Sequence, residues 1–299
     1  MNVMRAGVSR ADITPPLGTM LMGYAPMRPA ENVLDNLTVT ALAMEQGDTR
    51  SILLSITATI IDNQITALIR SYVSKATGYD KQDINVCAWQ THSGPCTQTC
   101  WGWGVPNMDF CEGIMAPGCV KASLQAIKDM GEVKMGVATV QSDVGVNRRQ
   151  ILENGSVVLG QNPYGSYDPT MTAIRFIRNG KSYANIIHYG AHPTAIGKTP
   201  DISRDWPGIM VDRVDAVIGG TTLYFNGAVG DVGPRPGEGT TTSNVEGMRE
   251  VGYRAAADAI KACRQIRTFE ETSLEVVKED ITMIYRPLPS LEEAKKGFE

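Results

Sequence analysis

The chain holds only three histidines, His92, His188 and His192, and each lies beside loop-forming residues. His92 sits in "CAWQTHSGPCTQTCWGWG", residues 87–104, just after a strand-like run and in a bed of Gly, Pro, Ser, Thr and Cys. An imidazole there can bind a metal, move a proton, or serve as a hydrogen-bonded loop residue. His192, in "HYGAHPT", follows the apolar run "ANIIH" at a Gly and a Pro, and loops at strand ends commonly carry sites. His188 and His192 have the spacing that chelates on a helix, but along a strand four residues span ~13 Å. Zinc takes nitrogen at ~2.0 Å, so at most one of the two joins a metal site unless Gly190 bends the chain.

Cysteines crowd the same region. His92, Cys96 and Cys100 are spaced H-x3-C-x3-C, with Cys111 and Cys119 close by and Cys87 and Cys263 completing the six. Structural zinc favours tighter C-x2-C pairs, so packed free thiols compete with a zinc knuckle. The loop "VGDVGPRPG" follows a buried strand-like run, and its backbone N–H groups can face an anion or simply close a tight turn.

Positioning such residues requires a framework, and its elements alternate along the chain. "TVTALAM" and "SILLSITATII" read as neighbouring strands, 61–76 as a helix and "DINVCAW" as a strand. A helix over 111–130 and the strand "VKMGVATV" follow. Asn154-Gly155 and Asn179-Gly180, each flanked by β-formers, predict two hairpins with type I′ turns. "RDWPGIMVDRVDAVIG" is a helix with Pro207 near its start and Gly219 at its end; "TLYFNG" is a buried strand, and a long helix covers "NVEGMREVGYRAAADAIKACRQI". The fold class is α/β, with mixed sheets, antiparallel hairpins and flanking helices. Ser290 and Glu293 form a capping box opening a last helix, so the expected organisation is one domain over 1–285 and a helix start over 286–299 that leads into a further portion.

With 28 basic and 32 acidic residues interspersed and a net charge of -4, the chain lacks the basic block of a nucleic-acid surface or a membrane anchor. Its first residues lack the apolar run of a signal sequence, and no segment approaches the ~18 apolar residues of a membrane span. The expected setting is the cytoplasm, with a small molecule or lipid as partner; oligomeric state is left open.

Several stretches together resemble the neutral/alkaline (non-lysosomal) ceramidase family. "AGVSRADITPPLGTMLMGY" is similar to its opening "AG…DITPP…MGY", "QTHSGP" to its "HTHSGP" and "VNRR" to its Asn-Arg motif. "HYGAHPT" and "SRDWPG" are similar to its His-Pro strand end and the segment after it, and "FNGAVGDVGPR" to its "NxGDVSPN" loop. Order and spacing match across essentially the whole chain. The resemblance implies a hydrolase that cleaves the amide bond of ceramide or a related N-acyl lipid with one zinc ion. On that basis His192 is a zinc ligand, His92 and Arg148 act on substrate, Asp205 joins them, and Gly230, Asp231 and Gly233 form the substrate loop. Gln90 falls where the family has its first histidine ligand, and an amide is a poor zinc donor; Gly233 falls where the family has a serine. The other two ligands, a Glu and a Tyr, are implied to lie beyond residue 299. Gln90 and Gly233 keep open an alternative, a family member that binds without catalysing.

Overall fold

A computed structural model of the chain describes residues 3–296, apart from 101–103, 238, 280, 283, 285 and 286. Strand β1 (Arg5–Asp12) pairs antiparallel along its length with β2 (Thr38–Gln46), which turns at Gly47 into β3 (Thr49–Ile56). Helix α1 (Asn63–Thr77) then crosses to β4 (Ile84–Ala88), which lies parallel to β3. Asp62 caps α1 by accepting from the Ile65 amide, and Gly78 ends it in the left-handed region. Within the expected helix over 111–130, Cys111–Met115 forms a π-helical turn before α2 (Ala116–Lys128).

The second half builds another sheet from β5 (Lys134–Gln141), β8 (Thr170–Arg178), β9 (Lys181–Tyr189) and β10 (Thr221–Asn226), with β9 and β10 parallel and the rest antiparallel. Between β5 and β8 lies the hairpin β6 (Gly145–Ile151) and β7 (Val157–Asn162). Both predicted hairpins exist, but only Asn179-Gly180 places two residues at positive φ, as a type I′ turn requires. At the other, five residues connect the strands and Gly155 alone is left-handed. There Asn154 Oδ1 accepts from the Ser156 amide instead. Helices α3 (Asp205–Ile218) and α4 (Val245–Gln265) flank the short strand β11 (Val232–Pro234), which pairs with β6.

Period-two burial arranges these pieces in four layers. On β2, Val39, Ala41 and Ala43 join Ile65, Ile69, Cys119 and Ala122 of the first helix pair, while Leu42 and Met44 point the other way. There they meet Phe176, Ala184, Ile186 and Leu223 of the second sheet. On β9 the opposite face carries Ile187 and Tyr189 against Met210, Val214, Val251 and Ala255 of α3 and α4. The order is therefore helices, sheet, sheet, helices, with both sheets buried on two faces. Helix α2 lies so close on β1 that a Cβ at Gly7 would sit 1.8 Å from the Ala126 carbonyl oxygen. No helix among the described residues is long and apolar enough to cross a membrane. The Ser290 to Glu293 capping box forms, opening a short exposed helix Leu291–Lys296; 297–299 lie outside the described residues.

Candidate active site

The parallel strands β3/β4 and β9/β10 bring their C-terminal ends together. Asn226, at the end of β10, donates to the Trp89 carbonyl (2.8 Å), and Gly227 donates to the Tyr189 carbonyl (3.2 Å). Beyond these ends the chain turns sharply: Gln90 has φ 75, and its amide returns to the Ala58 carbonyl. From the two turns His92 and His192 meet with ring centroids 5.6 Å apart. His188 is exposed on β9 and lies outside the cavity they share, as the strand geometry requires.

Strand β11 and the two residues before it fix the rest of the site through consecutive carbonyls. The Val232 carbonyl accepts from the His192 amide (3.0 Å) and from its ring Nδ1 (3.2 Å). That bond leaves the lone pair on Nε2. The Asp231 carbonyl accepts from the Arg148 amide (2.7 Å), and the Gly230 carbonyl from its Nη2 (3.0 Å) and Nε (3.3 Å). The loop expected to act on substrate thus works here through backbone oxygens that hold Arg148 and His192. Gly233 offers no side chain, and a Cβ there would come 2.7 Å from the Thr241 side chain.

Gln90, His92, Arg148 and His192 line one cavity of about 330 Å³, together with Tyr24 and Thr241. Ile60 and Leu159 supply its apolar wall. Burial, reinforced by His192, holds the His92 pKa down at about 3. Burial and then Arg148 hold His192 at about 4 against the pull of the Val232 carbonyl. Both rings are therefore neutral at physiological pH.

Asp205 is placed differently from the residues it was grouped with. It is 1% exposed, and its carboxylate accepts from the backbone amides of Ala195, Ile196 and Trp206 at 3.0, 3.0 and 2.7 Å. Its own φ is 57. Burial raises its pKa to about 6 despite those three donors. It braces the loop after His192, at the start of α3, and does not line the cavity. Arg204 beside it makes a bidentate pair with Asp212 (2.7 and 3.0 Å) and bonds Asp35 (2.8 Å).

Zinc fits this donor set poorly. His192 Nε2 is a well-prepared donor and His92 a second imidazole, but position 90 supplies only an amide. No group of three or more His, Cys, Asp or Glu that could hold a metal occurs among the described residues. None of the six cysteines is in a disulfide among the described residues, and 101–103 of the cysteine-rich stretch lie outside them.

With this geometry in hand, comparison with known proteins decides the family. The model of the neutral/alkaline non-lysosomal ceramidase N-terminal domain matches residues 4–268. The chain belongs to that family. Among solved structures, neutral ceramidase from Pseudomonas aeruginosa is similar with a TM-score of 0.75 and 18% identity, over 91% of this chain and 46% of that one. A ceramidase complexed with C2 is similar at 19% identity, with the same TM-score and coverages. The chain thus spans about half the length of these structures. No curated protein matches it in sequence. Within this ceramidase-family site, Tyr24, Thr241, Ile60 and Leu159 had no assignment from sequence. Tyr24 was within reach as the last residue of the quoted opening motif; the other three lie in stretches with no chemical signature.

Proposed function

We propose that this chain carries the acyl-binding and proton-handling half of a ceramidase-type hydrolase that cleaves the amide bond of an N-acyl lipid. One observation carries the reading: two neutral imidazoles and a guanidinium, from three separate elements, face one partly apolar cavity. Arg148 spends part of its guanidinium on the Gly230 carbonyl. Its remaining N–H groups point the acyl oxygen toward positive charge and meet the oxyanion that forms when water attacks the carbonyl carbon.

The attacking water gives its proton to His92, whose ring Nδ1 is buried without a partner. As the carbon–nitrogen bond breaks, the resulting imidazolium passes that proton to the departing amine. Fatty acid and free amine are the products. Ile60 and Leu159 border the acyl end. Leu159 and Arg148 continue into an adjoining hollow of about 400 Å³ lined also by Arg149, Val157, Val158 and Gly230, where the aliphatic side chains offer contact to a hydrocarbon chain and the guanidiniums to its polar end. A zinc-dependent version needs better donors than the Gln90 amide.

A second reading is favoured by Gln90 and by the missing side chain at Gly233: a module that binds N-acyl lipids without turnover. Both are tested with the full-length protein and a short-chain ceramide, following fatty-acid release. Turnover is expected, with Arg148→Gln lowering kcat/KM by about 10²–10³. Binding without any release by the unmodified protein would remove the hydrolase reading and leave the binding module.

A further inference from the structure

Tyr24 enters the cavity on a segment pressed directly against His92. Gly23 has φ 113, and a Cβ there would fall 2.5 Å from His92 Cβ. Only glycine permits so close an approach. The segment is pinned from several sides: the Met22 amide donates to the Gly94 carbonyl at 2.9 Å, and Lys198 Nζ to the Ala25 carbonyl at 3.0 Å. Arg28 donates to the Thr199 carbonyl through Nε and to the His92 carbonyl through Nη2. The Tyr24 ring is thereby fixed edge-on to His92, centroids 5.4 Å apart, with the Arg28 guanidinium 5.2 Å from its own centroid.

For all this anchoring, the hydroxyl at the end of the ring has no partner. Tyr24 Oη is buried without a hydrogen bond, and so are His92 Nδ1 and Arg28 Nη1. One buried orphan is costly and uncommon. Tyr24 and His92 both line the cavity, with the Arg28 guanidinium over the Tyr24 ring, and two such orphans on one cavity indicate a surface shaped for a bound group. Of the groups on this cavity the Tyr24 phenol offers its proton, and a guanidinium can do nothing else. With Arg148 opposite, the group they suit is an oxygen acceptor carrying full or partial negative charge.

We propose that the Tyr24 hydroxyl donates a hydrogen bond to the acyl oxygen of the ligand, as carbonyl in the substrate and as carboxylate in the product. This rests on reading the cavity as an acyl site. Burial raises the Tyr24 pKa to about 12, so the proton is in place at any working pH. The ring holds its position through His92 and Arg28, contacts that do not involve the hydroxyl, so Tyr24→Phe removes the donor and leaves the packing.

The test is a pair of measurements of opposite sign on the full-length protein. Without ligand, Tyr24→Phe should raise the melting temperature, because it deletes a buried hydroxyl that nothing satisfies. Binding of octanoate, followed by calorimetry, should weaken by about tenfold or more, the loss of one hydrogen bond to a charged group. Three results would overturn the proposal: equal octanoate affinity in the two proteins, a lower melting temperature for the ligand-free variant, or no octanoate binding to the unmodified protein. Octanoate discrimination without any amide turnover would instead retain this contact and remove the hydrolase reading.

Discussion

The turns after β4 and after β9 each deliver one imidazole to the same cavity, and the rings are held in different ways. Around His192 the backbone groups and ring Nδ1 are engaged, and ring Nε2 keeps its lone pair. The His192 amide and Nδ1 share the Val232 carbonyl, its carbonyl accepts from Trp206 Nε1 (3.0 Å), and Asp205 gathers the amides of Ala195 and Ile196. Around His92 the backbone is held, the amide by the Pro193 carbonyl at 3.4 Å and the carbonyl by Arg28 Nη2 at 3.1 Å, but ring Nδ1 has no partner, and Gln90 sits in the left-handed region two residues earlier. A turn bonded through backbone and ring is a fixed wall. A turn with an orphaned ring nitrogen keeps its capacity for a ligand, whereas positive φ occurs on both sides, at Gln90 in one turn and at Asp205 bracing the other.

The contrast can be broken most severely at Asp205. Asp205→Ala strands three buried amides, each costing about 1–3 kcal/mol when unsatisfied. A stability loss of about 3 kcal/mol or more in urea unfolding is expected. A loss below about 1 kcal/mol would mean that the His192 turn is held by its apolar packing, and the difference between the turns would shrink.

Gln90 is the place to sharpen it. Histidine tolerates positive φ better than most residues, so Gln90→His should preserve the turn and set another imidazole beside His92 and His192. Zinc affinity measured by calorimetry should rise by about tenfold or more over a weakly binding parent. Tight zinc binding by the unmodified chain would show that the donors have been assigned wrongly.

The smallest effect is on stability against pH. Folding depresses both histidine pKa values, to about 3 and about 4, so the unfolded chain binds more protons below the ordinary histidine value. The stability these rings contribute is complete above about pH 6.5 and is lost as pH falls toward their folded values. Asp205, raised to about 6, acts in the opposite sense: its contribution is present below its unfolded pKa and lost as pH rises through 6. Two groups against one leave a net loss on acidification of about 1 kcal/mol per pH unit. His92→Phe should flatten that slope in urea midpoints measured between pH 4 and 6.5, and an unchanged slope would show that His92 is hydrated.

The sequence carried the framework well because the framework obeys local rules. Short apolar runs, the Asn179-Gly180 pair and Gly219 after α3 each correspond to an observed strand, turn or cap. His92, Gln90, Arg148 and His192 were also legible, since each stands where a strand-like run gives way to Gly or Pro, or within a motif that resembles the family's. Three features were not. The Cys111–Met115 π turn has the composition of ordinary helix. Asp205 looks like a reactive carboxylate until its three amide partners, supplied by residues nine and ten positions earlier and by the next, are seen. Thr241 lies in "GEGTTTS", which reads as a linker; only the pairing of β11 with β6 leaves Gly233 bare and brings that threonine over it.

The most direct test is to titrate the histidine rings by NMR, assigning His92 and His192 from single substitutions to glutamine. If the two imidazoles share a dehydrated cavity with Arg148, both stay neutral down to about pH 5, well below the ordinary histidine value of about 6.5. Protonation of either ring between about pH 6 and 7 would mean that it faces water, and that the two turns do not build one site.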